Sequence, residues 1–118
     1  MEKQTTIKNK ITIKGKGLHT GQFVEVNILP SIADSGVVFK RVDLEKPVLV
    51  KALAEFVTET SRGTTIETNG AKISTIEHLM AALYAKQIDN VLIEISGEEV
   101  PILDGSSKYW LEAIENSG

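Results

Sequence analysis

In the stretch STIEHLMAAL, residues 74–83, the only two ionisable side chains are Glu77 and His78, side by side where a helix is about to begin. A carboxylate can take a proton from water, and a neutral imidazole can hold a metal ion, so the pair is the smallest unit of metal-assisted hydrolysis. The glutamate also has a purely structural explanation. Ser74-x-x-Glu77 fits the capping box, with Ser74 as N-cap and the Glu77 side chain reaching back to its N–H, an arrangement that contributes ~1 kcal/mol. His78 has no such account. At the helical repeat, Ile76, Leu79, Met80, Leu83 and Tyr84 form an apolar stripe for the sheet. His78 points away from that stripe and shares its side with Ala81, Ala82 and Ala85. A face of small apolar residues is suited to the close approach of a second body, so a partner is expected there, with Glu77 and His78 in the cleft between. The positive end of the helix favours the neutral, coordinating form of the imidazole.

A catalytic zinc usually takes three protein ligands and a water. The chain has no cysteine, and its other histidine is His19. A site completed within this sequence would therefore need His19 and a carboxylate such as Asp104. Otherwise the missing ligands must come from whatever covers the alanine face.

The elements that would hold these residues follow from periodicity. Ile7, Ile11 and Ile13 alternate within Thr5–Ile13, and Val24, Val26 and Ile28 alternate before Pro30, which marks two half-buried strands. Between them GKGLHTG supplies three glycines, predicting a hairpin with His19 near its tip. The spacing of those glycines does not match a phosphate-binding loop. Strands are predicted at 37–42, 48–56 and 64–68, the last turning through Asn69-Gly70 into a strand containing Lys72 and Ile73, so this region reads as a β-meander. A helix at about 75–87 and a strand at 91–95 follow. Asp104-Gly105 makes a turn, Ser106 is the expected N-cap of a closing helix whose apolar side is Trp110, Leu111 and Ile114, and Asn116-Ser117-Gly118 reads as its stop. The result is an α+β two-layer sandwich, a mostly antiparallel or mixed sheet with two helices on one face.

Composition bounds the rest. At 118 residues the chain fits one domain with one core. Thirteen basic residues against sixteen acidic give a net charge of −3, with no basic stripe, which disfavours nucleic acid as a partner. Apolar runs fall far short of the ~20 residues of a transmembrane helix, and the N-terminus lacks a secretory apolar segment, so a soluble, cytoplasmic domain is expected.

Four segments in order, GKGLHTG, STIEHLMAAL, IDNVLIEI and EEVPILDGSS, resemble the N-terminal half of the zinc-dependent UDP-3-O-acyl-N-acetylglucosamine deacetylases of lipid A synthesis in Gram-negative bacteria, over essentially all 118 residues. The resemblance implies an enzyme of two halves, each a sheet with two helices like the second domain of a small-subunit ribosomal protein, whose helical layers face each other across the active site. It makes Glu77 the general base and His78 a zinc ligand. The other two ligands, a His and an Asp in an H-x-x-x-D helix, lie in a C-terminal half absent from this chain. It also implies that Leu18 and His19 lie close to the metal, contacting substrate or supporting the site. Thr60, with Arg62 and Gly63, borders the substrate channel, and Asp104 orients polar groups near the pocket. The expected cofactor is zinc, the expected partners are the C-terminal half and the sugar-nucleotide substrate, and the chain by itself should be inactive. The alternative is a non-catalytic module that docks through the alanine face of helix 75–87.

Overall fold

The computed structural model describes residues 4–59 and 63–117. The alternating segments form a five-stranded mixed sheet of β1 (Ile11–Lys16), β2 (Phe23–Pro30), β3 (Val37–Arg41), β4 (Val48–Lys51) and β8 (Val91–Ile95), in spatial order β1-β2-β8-β3-β4. β1 pairs antiparallel with β2 in the register Ile13↔Val26, and β2 pairs antiparallel with β8. β3 and β8 are parallel, and β3 and β4 antiparallel. This register puts Ile11, Val26, Ile28, Phe39, Val50, Ile93 and Ile95 on one face, all buried. Helices α1 (Glu77–Ala85) and α2 (Lys108–Ser117) cover that face and pack on each other. Leu79 and Leu83 of α1 and Trp110 and Ile114 of α2 complete the core, and Lys86 pairs with Glu115 across the helices. The architecture is the expected α+β sandwich.

The expected meander is divided between two sheets. Alternation in 48–56 carries Val48 and Val50 inward but fails at Ala52-Leu53-Ala54, where the Leu53 N–H turns back to the Lys51 C=O at 2.9 Å and a 3-10 turn spans Ala54–Phe56. Beyond it β5 (Val57–Glu59), β6 (Thr65–Thr68) and β7 (Ala71–Ile73) form a separate antiparallel sheet, with Asn69 and Gly70 both at positive φ in the predicted tight hairpin. Ile66, Ala71 and Ile73 bring it into the common core. Arg41 fastens the two sheets: its guanidinium donates twice to Asp43, at 2.8 and 2.7 Å, and once to the Lys72 carbonyl at 2.9 Å.

The first strand runs nearer the tip than Thr5–Ile13, because pairing with β2 extends to Lys16↔Phe23 while Thr5 is held by the loop before β8 through Asp89 and Asn90. α1 is shorter than 75–87, ending where Gln87 adopts a φ of 56°. Its buried arc is also rotated. Leu79, Ala82 and Leu83 are buried and Met80 half-buried, whereas Tyr84 is 87% exposed beside Ala81 and Ala85. The large side chains alone misplace the arc because α1 packs against α2 as well as the sheet, and small Ala82 belongs to the core while Tyr84 does not. α2 begins at Lys108, whose N–H donates to the Ser106 hydroxyl at 3.2 Å, so Ser106 supplies the capping oxygen as expected, with Ser107 between it and the first helical residue. The helix then runs through Ser117, whose carbonyl accepts the Asn9 amide at 2.7 Å.

Candidate active site

Glu77 opens α1, and the capping box that explained it is not formed. Ser74 is held in a parallel bridge with Glu99: its N–H donates to the Glu98 carbonyl at 2.7 Å, and its own carbonyl accepts the Val100 N–H at 3.1 Å. A backbone committed to a bridge cannot also turn into an N-cap, so Ile76 takes that position with no side-chain cap. The Glu77 carboxylate instead accepts the Thr64 N–H through Oε1 at 3.0 Å. Gly63, at a φ of 93°, lies so close that a Cβ there would stand 3.0 Å from Glu77 Oε2. The loop entering β6 thus orients the carboxylate from the side, and no local sequence pattern records this contact.

His78 sits at the border of the exposed and buried arcs of α1, half-buried, rather than directly away from the core as its spacing suggests. Among the described residues its imidazole makes no hydrogen bond. Next to it along the helix surface are the uncovered Ala81, Tyr84 and Ala85.

The β1–β2 hairpin carries Leu18, 58% exposed, and His19, whose side chain is also exposed. The tip is closed by the Gly17 N–H to the Gln22 carbonyl at 3.0 Å and fixed by a residue that sequence reasoning missed, Glu99. That carboxylate, 1% exposed, accepts the His19 N–H at 3.0 and 3.1 Å, the Thr20 N–H at 2.8 Å and the Thr75 hydroxyl at 2.8 Å. Burial pushes its carboxyl up, but the bonds from Thr20, Thr75 and His19 outweigh burial and hold it below the ordinary value. Gly17 makes room: a Cβ there would come within 2.3 Å of Glu99 Oε1. A polar cavity of about 250 Å³ opens beside this junction, lined by His19, Thr65, Lys72, Ser74 and Glu98. The segment EEVPILDGSS opens with two adjacent glutamates, and only the tertiary fold distinguishes the half-buried Glu98 from the buried Glu99.

Asp104 lies in the exposed turn before α2, where its carboxylate accepts the Ser106 hydroxyl at 2.8 Å and the Ser106 N–H at 3.1 Å. The hydroxyl bond is the main cause that holds its carboxyl below the ordinary range. Thr60 and Arg62 lie outside the described residues. Among the described residues, no three His, Asp or Glu side chains gather closely enough to hold a metal, so a zinc site built from His19, His78 and Asp104 does not form.

The sequence profile of the family described as UDP-3-O-acyl N-acetylglycosamine deacetylase matches residues 4–118. A bifunctional enzyme LpxC/FabZ of Bacteroides thetaiotaomicron is 49% identical over 118 residues, 100% of this chain and 26% of its own length. A UDP-3-O-acyl-N-acetylglucosamine deacetylase of Geotalea uraniireducens is 48% identical over 98% of this chain and 38% of its own. One from Xanthomonas oryzae pv. oryzae is 49% identical over 100% and 39% respectively. The chain spans between a quarter and two-fifths of the length of these relatives. A profile match across nearly every residue, together with identities near one half, shows that the chain belongs to the UDP-3-O-acyl-N-acetylglucosamine deacetylase family.

Proposed function

We propose that this chain provides one side of a zinc-dependent amidohydrolase active site that removes the N-acetyl group of UDP-3-O-acyl-N-acetylglucosamine in the cytoplasm, for lipid A synthesis in Gram-negative bacteria. The observation that carries the reading is the state of Glu77. It is a partly exposed carboxylate released from helix capping, fixed at one oxygen by the Thr64 N–H, and adjacent to an imidazole with no hydrogen bond among the described residues.

The donor set fits one ligand position and no more. His78 is a nitrogen donor of the type zinc takes, but the described residues hold no group of three ligands, so on this reading the remainder come from outside the described residues. Zinc, when bound, polarises an acyl carbonyl and lowers the pKa of a coordinated water to about 7. The chain's own residues account for proton handling. With Oε1 pinned by Thr64, Glu77 presents Oε2 as base, receives the proton of the water attacking the acetamide carbonyl, and can return it to the departing amine. The exposed strip of Ala81, Tyr84 and Ala85 allows a second body to close over the pair and exclude bulk water. No helix among the described residues is long and apolar enough to cross a membrane.

In the full-length protein, Glu77→Gln is expected to lower kcat by about 10²-fold or more with zinc content unchanged, as expected for loss of a general base. His78→Ala is expected to lose the metal. Full turnover in Glu77→Gln, or a full zinc complement in His78→Ala, would contradict the respective assignment and leave the docking module as the better account.

A further inference from the structure

The geometry points to Glu99 as a positioning residue: one buried carboxylate sets the hairpin tip bearing His19 against the entry to α1 bearing Glu77 and His78. This deepens the proposed function and rests on it. Three features converge on Glu99. It accepts from two elements at once, His19 and Thr20 at the β1–β2 tip and Thr75 on the entry to α1. Its seat is built for it, since Gly17 leaves no room for any side chain beside Oε1. Finally, Thr75 stands at a φ of 59°, a sparsely populated backbone region and a rare one for a β-branched residue. The Thr75 hydroxyl bond to Glu99 Oε2, with the Ser74 bridge one residue earlier, holds that turn. The turn in turn fixes where Glu77 and His78 leave the backbone. The His19 and Thr20 N–H groups facing the seat can only donate, so the seat needs an acceptor there. Glutamine keeps that acceptor only by turning its NH2 group toward the Thr75 hydroxyl, which must then accept, and it gives up the charge that strengthens these bonds.

The test uses the full-length protein. Glu99→Gln, assayed where circular dichroism shows it folded, is expected to lower kcat/KM about 10- to 100-fold with zinc retained, the scale of loss from misplaced catalytic groups. A double-mutant cycle with His19→Ala separates positioning from general loosening. If Glu99 acts through the tip, the double variant falls no more than about 3-fold below the worse single variant, as coupled sites do. Multiplicative losses overturn the inference. So does wild-type kcat/KM in Glu99→Gln, or in His19→Ala, since the tip would then hold nothing to position. Should Glu99→Gln fail to fold, Thr75→Val removes one of the bonds with little change of shape. It is expected to lower kcat about 5- to 10-fold with zinc unchanged, and an unchanged kcat overturns the inference. The Glu77→Gln arm keeps the two claims distinct: its loss of turnover beside a fully active Glu99→Gln sinks the positioning role alone, whereas its full activity removes the base assignment beneath it.

Discussion

A buried carboxylate survives in a protein only when donors surround it, and Glu99 has three. Its carboxyl lies below the ordinary value of 4.5 in the folded chain. The sign follows: a depressed folded pKa contributes stability above the unfolded value, and that contribution is lost as pH falls through the folded one. Wild-type stability should therefore drop on acidification below about pH 4.5, while Glu99→Gln, about 2–3 kcal/mol less stable at pH 7, should show a flatter acid limb. Urea denaturation at pH 7 and pH 3.5 checks both, and parallel limbs would contradict the assignment. At this scale the sequence put Glu77 and His78 side by side at a helix start, where the structure places them, in the first turn of α1. It misled about Ser74, where the capping-box pattern is satisfied in residue types yet the backbone is engaged by Glu98 and Val100, too distant in sequence for a local pattern to register. It was silent on Glu99 for the same reason.

Strands whose alternation was clean appear where periodicity put them, as with Val91–Ile95 and its buried Val91, Ile93 and Ile95. Asn69-Gly70 turned as its chemistry requires, with both residues at positive φ. The division of the meander was not legible, because it depends on where β4 stops pairing and on a cross-sheet staple. Arg41 is that staple, with a guanidinium fork on Asp43 and a third bond to Lys72 of the second sheet. Arg41→Met should cost about 2 kcal/mol, because it leaves the Lys72 carbonyl and a partly exposed Asp43 without their donor. Arg41→Lys should recover less than half, since an ammonium cannot reproduce the fork. Thermal melts of the two variants test this, and wild-type stability in Arg41→Met would show that the sheets hold together by apolar packing alone. The rotation of α1 belongs to the same scale. Hydrophobic size nominated Tyr84 for the core and Ala82 for the surface, and packing on α2 reversed both.

As a whole the molecule has one apolar core shared by two sheets and two helices, and it leaves the strip of Ala81, Tyr84 and Ala85 uncovered next to Glu77 and His78. Family membership was readable from four short segments in order, and the profile match over residues 4–118 agrees with them. What those segments could not convey is how the site is braced, through Thr64 on one side and Glu99 on the other. Under the proposed function the metal site is divided, with the base and one ligand on α1 and the remaining ligands outside the described residues. Metal analysis of the isolated 118-residue chain after exhaustive dialysis tests this most directly. One imidazole without companion ligands should retain less than about 0.1 zinc per chain, whereas one tightly held zinc per chain would contradict the account.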